Sequence, residues 1–490
     1  MKLAKNLILN TDSYKVSMDR QYPVGTTGVY SYIESRGGRY DSTVFFGLQA
    51  FIKEYLLEPI TQADIDIAEE ILTAHGEPFN RAGWQYILDV HNGYLPVVIR
   101  AVTEGTVVPV KNVLATIENT DPETFWLTTW LETALLRAIW YPTTVSTQSK
   151  MIKNLITEYL EKSGDPTTIG FKLHDFGSRG VSSMESAGIG SAAHLVNFMG
   201  TDTISGVLFA REYYDAGVAG FSIPAAEHST ITSWGRAGEV KAYSNMVKQF
   251  GTPGALLAVV SDSYDIYEAC RMWGTELKQQ VIDSGATVVI RPDSGDPVEV
   301  LPKMFHILGE TFGYTTNSKG YKVLNNVRIL WGDGINQLSI HSILTKIVDF
   351  GGWSADNIAF GMGGALLQQL DRDTQKFAMK CSAVSVREMV PNTEENFPTD
   401  GKTEIKTAGF LPKVIWRDVF KDPITDKVKA SKKGRVTLWT NGGEFETSVE
   451  RPTRWTDKGS EWTEALEEVF RDGKLVNEIT FEQVRANARK

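Results

Sequence analysis

The sequence predicts an α/β fold, a (β/α) barrel with a flanking α+β region, and three observations carry that prediction. At 490 residues the chain has room for two to four domains of roughly 100–200 residues each. From about residue 168 one pattern repeats seven times: a short β-prone apolar run, a polar or Gly-rich stop, then a longer stretch of helical character. Residues 1–165 and 385–490 lack that rhythm. The expected division is a barrel over 166–384 and a flanking, β-rich α+β domain built from 1–165 and 385–490 together.

In chain order, 1–165 mixes expected strands (GVYSYIES, 28–35; YLPVVIRAV, 94–102; VPVKNVLATIEN, 108–119) with expected helices (STVFFGLQAFIKEYL, 42–56; PETFWLTTWLETALLRAIW, 122–140). The seven stops follow: GFKLHDFGSRG, GTDTISG, GFSIPAAEHS, LLAVVSDSYD, TVVIRPDSGD, VRILWGDG and NIAFGMGG. With Asp175, Asp202, Glu227, Asp262, Asp293, Asp333 and Gly361 as markers, the gaps are 27, 25, 35, 31, 40 and 28 residues. A (β/α)8 barrel of ~250 residues spends ~31 on each unit and keeps its active site at the C-terminal rim, where these polar stops would lie. An open doubly wound sheet is the alternative that such spacing leaves. Beyond residue 385, MVPNTEENFPTDGKTEIKTAG reads as a long loop or lid, KDPITDKVKASKKGR as a basic strip, and the rest as a strand-rich tail.

Composition narrows the function. The 42% hydrophobic and 22% charged residues exclude a coiled coil, a collagen-like chain or a largely disordered one. A formal charge of -10 argues against generic attraction to nucleic acid or an anionic membrane, so an anionic ligand needs a local cluster of donors. Two cysteines without framework spacing fit a reducing compartment. No apolar run approaches the ~18 residues of a membrane span, and the start offers no cleavage signal; a cytoplasmic protein is expected.

Some motifs do not survive their context. DGKTE (400–404) lacks the first glycine and the leading strand of a phosphate loop, and reads as a solvated turn. Gly188 to Ala193 match G-x-G-x-x-A but follow no strand, which favours close helix packing. The seven histidines show no metal-ligand spacing.

Others point to chemistry. FGMGGALLQQL runs from an apolar strand through glycines into a helix, a turn that offers backbone N–H groups to phosphate or is simply tight. The GDG at 332–334 and the cations Arg372 and Lys380 favour phosphate. His228 in PAAEHST has Glu227 beside it and Asp265 on the next rim loop, and a carboxylate on one ring nitrogen raises the basicity of the other. That suits a general base or a nucleophile towards phosphorus; a buried structural histidine is the bland reading. Arg291 and Asp293 in RPDSGDP stand two apart at a strand end, as a phosphate donor and an acceptor for sugar hydroxyls or as a structural ion pair.

Taken together, TDSYKVSMDRQYP, YSYIESR, KLHDFGSRGVSS, GTDT, PAAEHSTIT, VSDSYDIY, IRPDSGDP, GDG and FGMGG closely resemble the nicotinamide phosphoribosyltransferase family, in family order over nearly the whole chain. The resemblance implies a type II phosphoribosyltransferase: a homodimer with an irregular α/β barrel and shared active sites, joining nicotinamide to phosphoribosyl pyrophosphate in NAD salvage. Phe176, and Tyr14 of the partner subunit, would sandwich the pyridine ring, with Arg291 close by. Asp202 would accept from the carboxamide and repel nicotinic acid. Asp293 and Asp333, with Gly332 in the same turn, would hold the ribose. The backbone of Gly363 and Gly364 and partner-chain Arg372 would take the 5′-phosphate. Arg36, Arg179, Lys380, Lys421 and Lys429 would form the cationic wall for pyrophosphate or ATP, with Glu227 in the ATP region. His228 would be phosphorylated by ATP, oriented by Asp265, and pyrophosphate would leave with Mg2+. Against the pattern, Ser178 stands in place of a Tyr and Ala378 in place of a Ser. A nicotinate phosphoribosyltransferase, a non-enzymatic signalling protein and a phosphosugar aldolase or isomerase are the competing classes.

Overall fold

The computed structural model describes residues 5–391, 410–426, 429–452 and 461–490. Most of the expected 389–409 loop, with DGKTE, and part of the basic strip at 427–428 lie outside those residues. The chain divides into two compact units, one of 1–141, 372–479 and 490, the other of 142–371 and 480–489.

The first unit is built on a seven-stranded antiparallel sheet drawn from both chain ends. In spatial order its strands are Phe410–Asp418, Phe377–Pro391, Thr26–Ser35, Val113–Asn119, Val97–Ala101, Glu467–Arg471 and Lys474–Leu475. Thr26–Ser35 is an interior strand whose Tyr, Val and Ile side chains are β-formers, and nearly all of it is buried. Helices Gln62–His75 and Arg81–His91 bury their apolar stripes beside a cluster in which Trp84 meets Trp126 and Trp130 edge to face. One expectation is corrected: Ser42–Val44 is a strand paired with Val107–Pro109, and the helix begins only at Leu48, after Gly47 at φ 108°. β-branched Thr43 and Val44 favour the extended state, and the left-handed glycine supplies the turn.

In the second unit, six parallel strands run in the spatial order Gly200–Thr201, Leu173–Asp175, Ile358–Met362, Val327–Trp331, Thr287–Arg291 and Leu256–Val260. The extended segment 221–225 closes the curve, since Phe221 bridges Gly200 and Ala225 bridges Ala258, both parallel. Seven staves thus stand where seven stops were read, in an irregular α/β barrel. Helices cover the outer face. Gly188 lies in helix Met184–Leu195, where a Cβ would stand 3.3 Å from Ser205 O of helix Ile204–Tyr214, so that motif serves helix packing.

Candidate active site

Strand alternation sorts the rim residues. In parallel register His174 pairs with Gly361 and Val289 with Arg328, so His174, Phe176, Ala359, Gly361, Leu330, Gly332, Val289, Arg291 and Ala258 share the inner parity. Phe176, Ile223 and Ala359 pack on a small buried cluster of Ala258, Val289 and Leu330. The ring of Phe176 lies against glycine: a Cβ on Gly361 would stand 2.0 Å from Phe176 Cε2, and one on Gly332 would stand 3.5 Å from Cε2 and 3.6 Å from Asp293 Oδ1. Phe176 N–H donates to Met362 O at 3.0 Å. An aromatic face, a carboxylate and two glycines therefore meet at one strand-end position.

The acid that meets His228 is Asp262, not the expected Asp265. His228 opens the short helix His228–Thr232, and Asp262 Oδ1 lies 2.9 Å from its Nε2. Asp265 does something else: it N-caps helix Ile266–Gly274, accepting from the N–H groups of Tyr267 at 2.9 Å and Glu268 at 3.1 Å. The reason is local, because an acid three residues before Glu268 at a helix start is spent on orphan backbone donors. Asp262 Oδ2 accepts from Asp293 N–H at 3.0 Å and from the Ser294 hydroxyl. Burial pushes the Asp262 carboxyl up, but the bonds from Ser294, His228 and Asp293 outweigh it and hold the group below its ordinary value. Its side chain is 5% exposed against 45% for His228, so a fixed anion orients an accessible ring. Glu227 occupies the N-cap position of helix His228–Thr232 without a side-chain capping bond, and its carboxylate accepts from the Ser229 hydroxyl.

Arg291 Nη2 lies 3.7 Å from Asp293 Oδ2, while its Nε is buried without a hydrogen-bond partner. Asp202 follows Gly200–Thr201, accepts from Ser222 Oγ, and has its N–H on Asp175 O at 3.0 Å. Burial holds His174 below its ordinary value, opposed by the Asp202 carboxylate and by the bond to Phe171 O. Asp333 is exposed, its carbonyl taken by Trp331 Nε1 at 2.7 Å. Gly363 precedes the four-residue helix Gly364–Leu367, and a Cβ on Gly364 would meet nothing within 4 Å, leaving open space at that turn. Arg179 is exposed in the turn after Phe176.

The first unit holds the remaining cations. Tyr14 is 56% exposed, with Lys15 Nζ 5.0 Å above its ring and Lys15 itself buried against Glu132. Arg36 follows strand Thr26–Ser35, and Glu34, 4% exposed, pairs with both Arg36 at 3.4 Å and Lys432. Lys380 pairs with Tyr32 in the sheet; burial pushes its pKa down, Glu132 pulls it up, and Arg36, Lys15 and Arg372 push it down further. Arg372 bonds Asp373, and Lys429 lies 3.4 Å from Asp426. Lys421 is placed by its backbone, which exchanges two bonds with Ser431. Glu34, Lys432 and Ser294 carry no role in the sequence reading, and Asp175 and Asp262 enter it only as rim markers. Lys432 lay in the basic strip without distinction, and Asp262 could have been found by treating Asp265-x-x-Glu268 as a helix start.

A parallel barrel whose C-terminal rim gathers an aromatic ring, acids, a carboxylate-held histidine and a glycine turn defines a barrel phosphoribosyltransferase, a pentosyltransferase enzyme. Residues 171–409 match the nicotinate phosphoribosyltransferase (NAPRTase) family, and residues 6–99 match the nicotinamide phosphoribosyltransferase N-terminal domain. A nicotinamide phosphoribosyltransferase of Xanthomonas campestris is 54% identical over 100% of this chain and 99% of its own. One of Acinetobacter baylyi is 30% identical over 97% and 95%. Among solved structures, a nicotinate-nucleotide pyrophosphorylase of Pyrococcus furiosus covers 100% of this chain and 96% of its own at TM-score 0.60 and 15% identity, and human nicotinic acid phosphoribosyltransferase covers 98% and 92% at 0.54 and 15%. These last two share the fold. The chain belongs to the nicotinamide phosphoribosyltransferase family. Among the described residues no helix is long and apolar enough to cross a membrane.

Proposed function

We propose that this enzyme joins nicotinamide to phosphoribosyl pyrophosphate, giving nicotinamide mononucleotide and pyrophosphate for NAD salvage. The observation that carries the reading is the double use of Asp262, one oxygen on His228 and the other on the Asp293–Ser294 turn. It ties the ATP-handling group to the sugar-handling group within one unit, in a chain 54% identical to a relative of that name.

The pyridine nitrogen attacks ribose C1 as the C1–O bond breaks and its electron pair leaves with pyrophosphate. The nitrogen becomes a pyridinium, so no proton has to be removed. Phe176 provides one face for the ring, Asp202 accepts from the carboxamide NH2, and Asp293 and Asp333 accept from ribose hydroxyls while positive charge builds at C1. The glycine turn at 363–364 offers N–H groups to the 5′-phosphate. Arg36, Arg179, Lys380, Lys421 and Lys429 are assigned to pyrophosphate or ATP phosphates, and Glu227 to the ATP region. Mg2+ supplies neutralisation of the leaving pyrophosphate.

Coupling to ATP would use one tautomer of His228. With Nε2–H donated to Asp262, the lone pair of His228 sits on Nδ1, which attacks the γ-phosphorus; ADP leaves, and water later cleaves the P–N bond to release phosphate. In a homodimer, Tyr14 of the partner subunit covers the second face of the pyridine ring, and Arg372 of the partner subunit reaches the 5′-phosphate. The test is to follow nicotinamide mononucleotide from nicotinamide and phosphoribosyl pyrophosphate with and without ATP, and with nicotinate as competing substrate. Product from nicotinamide, accelerated by ATP and exceeding that from nicotinate, is expected. No product from nicotinamide overturns the reading, and faster turnover of nicotinate replaces it with the acid-specific reaction.

A further inference from the structure

Behind Phe176, on the opposite face of the barrel wall, is a carboxylate with no part in the mechanism above. Asp175 is fully buried at the end of strand Leu173–Asp175 and is the register partner of Thr201 on the neighbouring strand. By alternation it points away from the inner parity that carries His174 and Phe176. Both of its oxygens are spent. Oδ1 accepts from Gly177 N–H at 2.7 Å, closing a turn over Phe176. Oδ2 accepts from Thr201 Oγ1 at 3.1 Å. Thr201 Oγ1 also accepts from Thr203 N–H at 2.9 Å and lies 3.1 Å from Ser191 Oγ. The Asp175 carbonyl accepts from Asp202 N–H at 3.0 Å.

These bonds surround two residues. Phe176 is held between the Asp175 turn and its own bond to Met362, and Asp202 between Thr201 and Thr203, which Thr201 Oγ1 fixes. A buried carboxylate with one oxygen on the Gly177 N–H and the other on the Thr201 hydroxyl, which itself holds the Thr203 N–H, is a costly way to stabilise a strand end, since apolar packing would do that without desolvating a carboxylate. It is a direct way to fix two loops relative to each other. We infer that Asp175, through Thr201, is a positioning residue for the aromatic ring and the carboxamide acceptor, and so sets nicotinamide affinity and selectivity without touching the substrate. The inference rests on the nicotinamide roles proposed for Phe176 and Asp202.

The experiment compares Asp175→Asn, Thr201→Val, Thr201→Ser and the Asp175→Asn/Thr201→Val double variant in the full chain. It measures KM for both substrates, kcat and the nicotinamide-to-nicotinate ratio, with Phe176→Ala and Asp202→Ser alongside. Loss of the Asp175–Thr201 bond, accompanied in Thr201→Val by loss of the Thr203 N–H bond, should raise the nicotinamide KM about tenfold or more in Asp175→Asn and Thr201→Val, with the phosphoribosyl pyrophosphate KM within about twofold. Thr201→Ser keeps the hydroxyl and should stay near the parent. The double variant should be no worse than the weaker single one, because both changes break one linkage. Equal rises in both KM values, or a Thr201→Ser as impaired as Thr201→Val, overturns the inference. If Phe176→Ala and Asp202→Ser raise the nicotinamide KM but the Asp175 and Thr201 variants do not, the inference alone fails. If Phe176→Ala and Asp202→Ser leave it unchanged, the underlying reading fails and the inference with it. Should Asp175→Asn not fold, the Val and Ser variants of Thr201 decide.

Discussion

Asp262 and Asp265 lie three residues apart in the same rim loop, yet they meet different partners, and the difference is measurable. Asp262→Asn keeps the shape but removes the charge that orients His228, so phosphorylation of His228 and ATP hydrolysis should fall roughly 10–100-fold. Asp265→Ala removes only a helix cap, costing about 1 kcal/mol with ATP coupling intact. Loss of coupling in Asp265→Ala with retention in Asp262→Asn would reverse the assignment. The sign of the pH effect follows from the lowered Asp262 value: its stabilising contribution is full above the ordinary carboxylate range near 3.8 and disappears as pH falls through the depressed value. Selectivity is assigned above to Asp202. Asp202→Asn removes the charge facing the acid analogue, so the nicotinate-to-nicotinamide ratio should rise, and an unchanged ratio would remove Asp202 from that role. The residue types and the rim loop of this pair were legible in the sequence. Which acid turns towards the histidine was decided by a helix start one turn away, a competition for backbone donors that spacing along the chain does not display.

Among elements, the seven barrel staves were the most legible part of the molecule, because a short apolar run with a polar stop is both a buried parallel strand and its functional end. The weak stave at 221–225 makes only bridges, and its stop was still readable from PAAEHS. In the 42–56 segment the helix stands from Leu48 on, and only its start differs, because the apolar run VFF has no period to separate strand from helix. Strand Ile358–Met362 carries a sharper test. Gly361→Ala would place a Cβ 2.0 Å from Phe176 Cε2, so the ring must move. Overpacking should cost ~1–3 kcal/mol, and the nicotinamide KM should rise with it; an unchanged KM would mean that the ring position does not matter. Helix Met184–Leu195 carries a second. Burial holds His194 well below its ordinary value of 6.5, with Asp175 and the Leu173 and Gly200 backbone opposing. A histidine kept neutral in the fold must be protonated on unfolding in acid, so its contribution is complete above 6.5 and is lost as pH falls below it. Thermal midpoints should drop from pH 7 to pH 5, and His194→Gln should flatten that slope; an equal slope in the variant would assign the effect elsewhere.

For the whole molecule, a net charge of -10 coexists with proposed ligands that are all phosphates except one flat neutral ring. In the described structure cations cluster locally: Glu34 holds Arg36 and Lys432 together, and Lys380 lies within the fields of Arg36, Lys15 and Arg372. Sequence composition excluded generic anion binding but could not show this clustering, which depends on strands from both chain ends meeting in one sheet. The ring raises a different question, since Phe176 offers a single aromatic face and Tyr14 keeps more than half of its surface exposed. If Tyr14 serves the site of a second copy, stacking worth roughly 1–3 kcal/mol is lost in an isolated chain. Chains carrying Tyr14→Ala and chains carrying His228→Ala should each lack ATP-coupled turnover, for different reasons. In a mixed dimer, one site then receives both lesions and the other receives neither. Mixing the two should restore up to about half of the parental turnover per mixed dimer, appearing at the rate of subunit exchange. If exchange is verified by native mass measurement and no ATP-coupled turnover returns, or if a diluted monomer turns over at the full rate, the ring is completed within one chain and the shared site is abandoned.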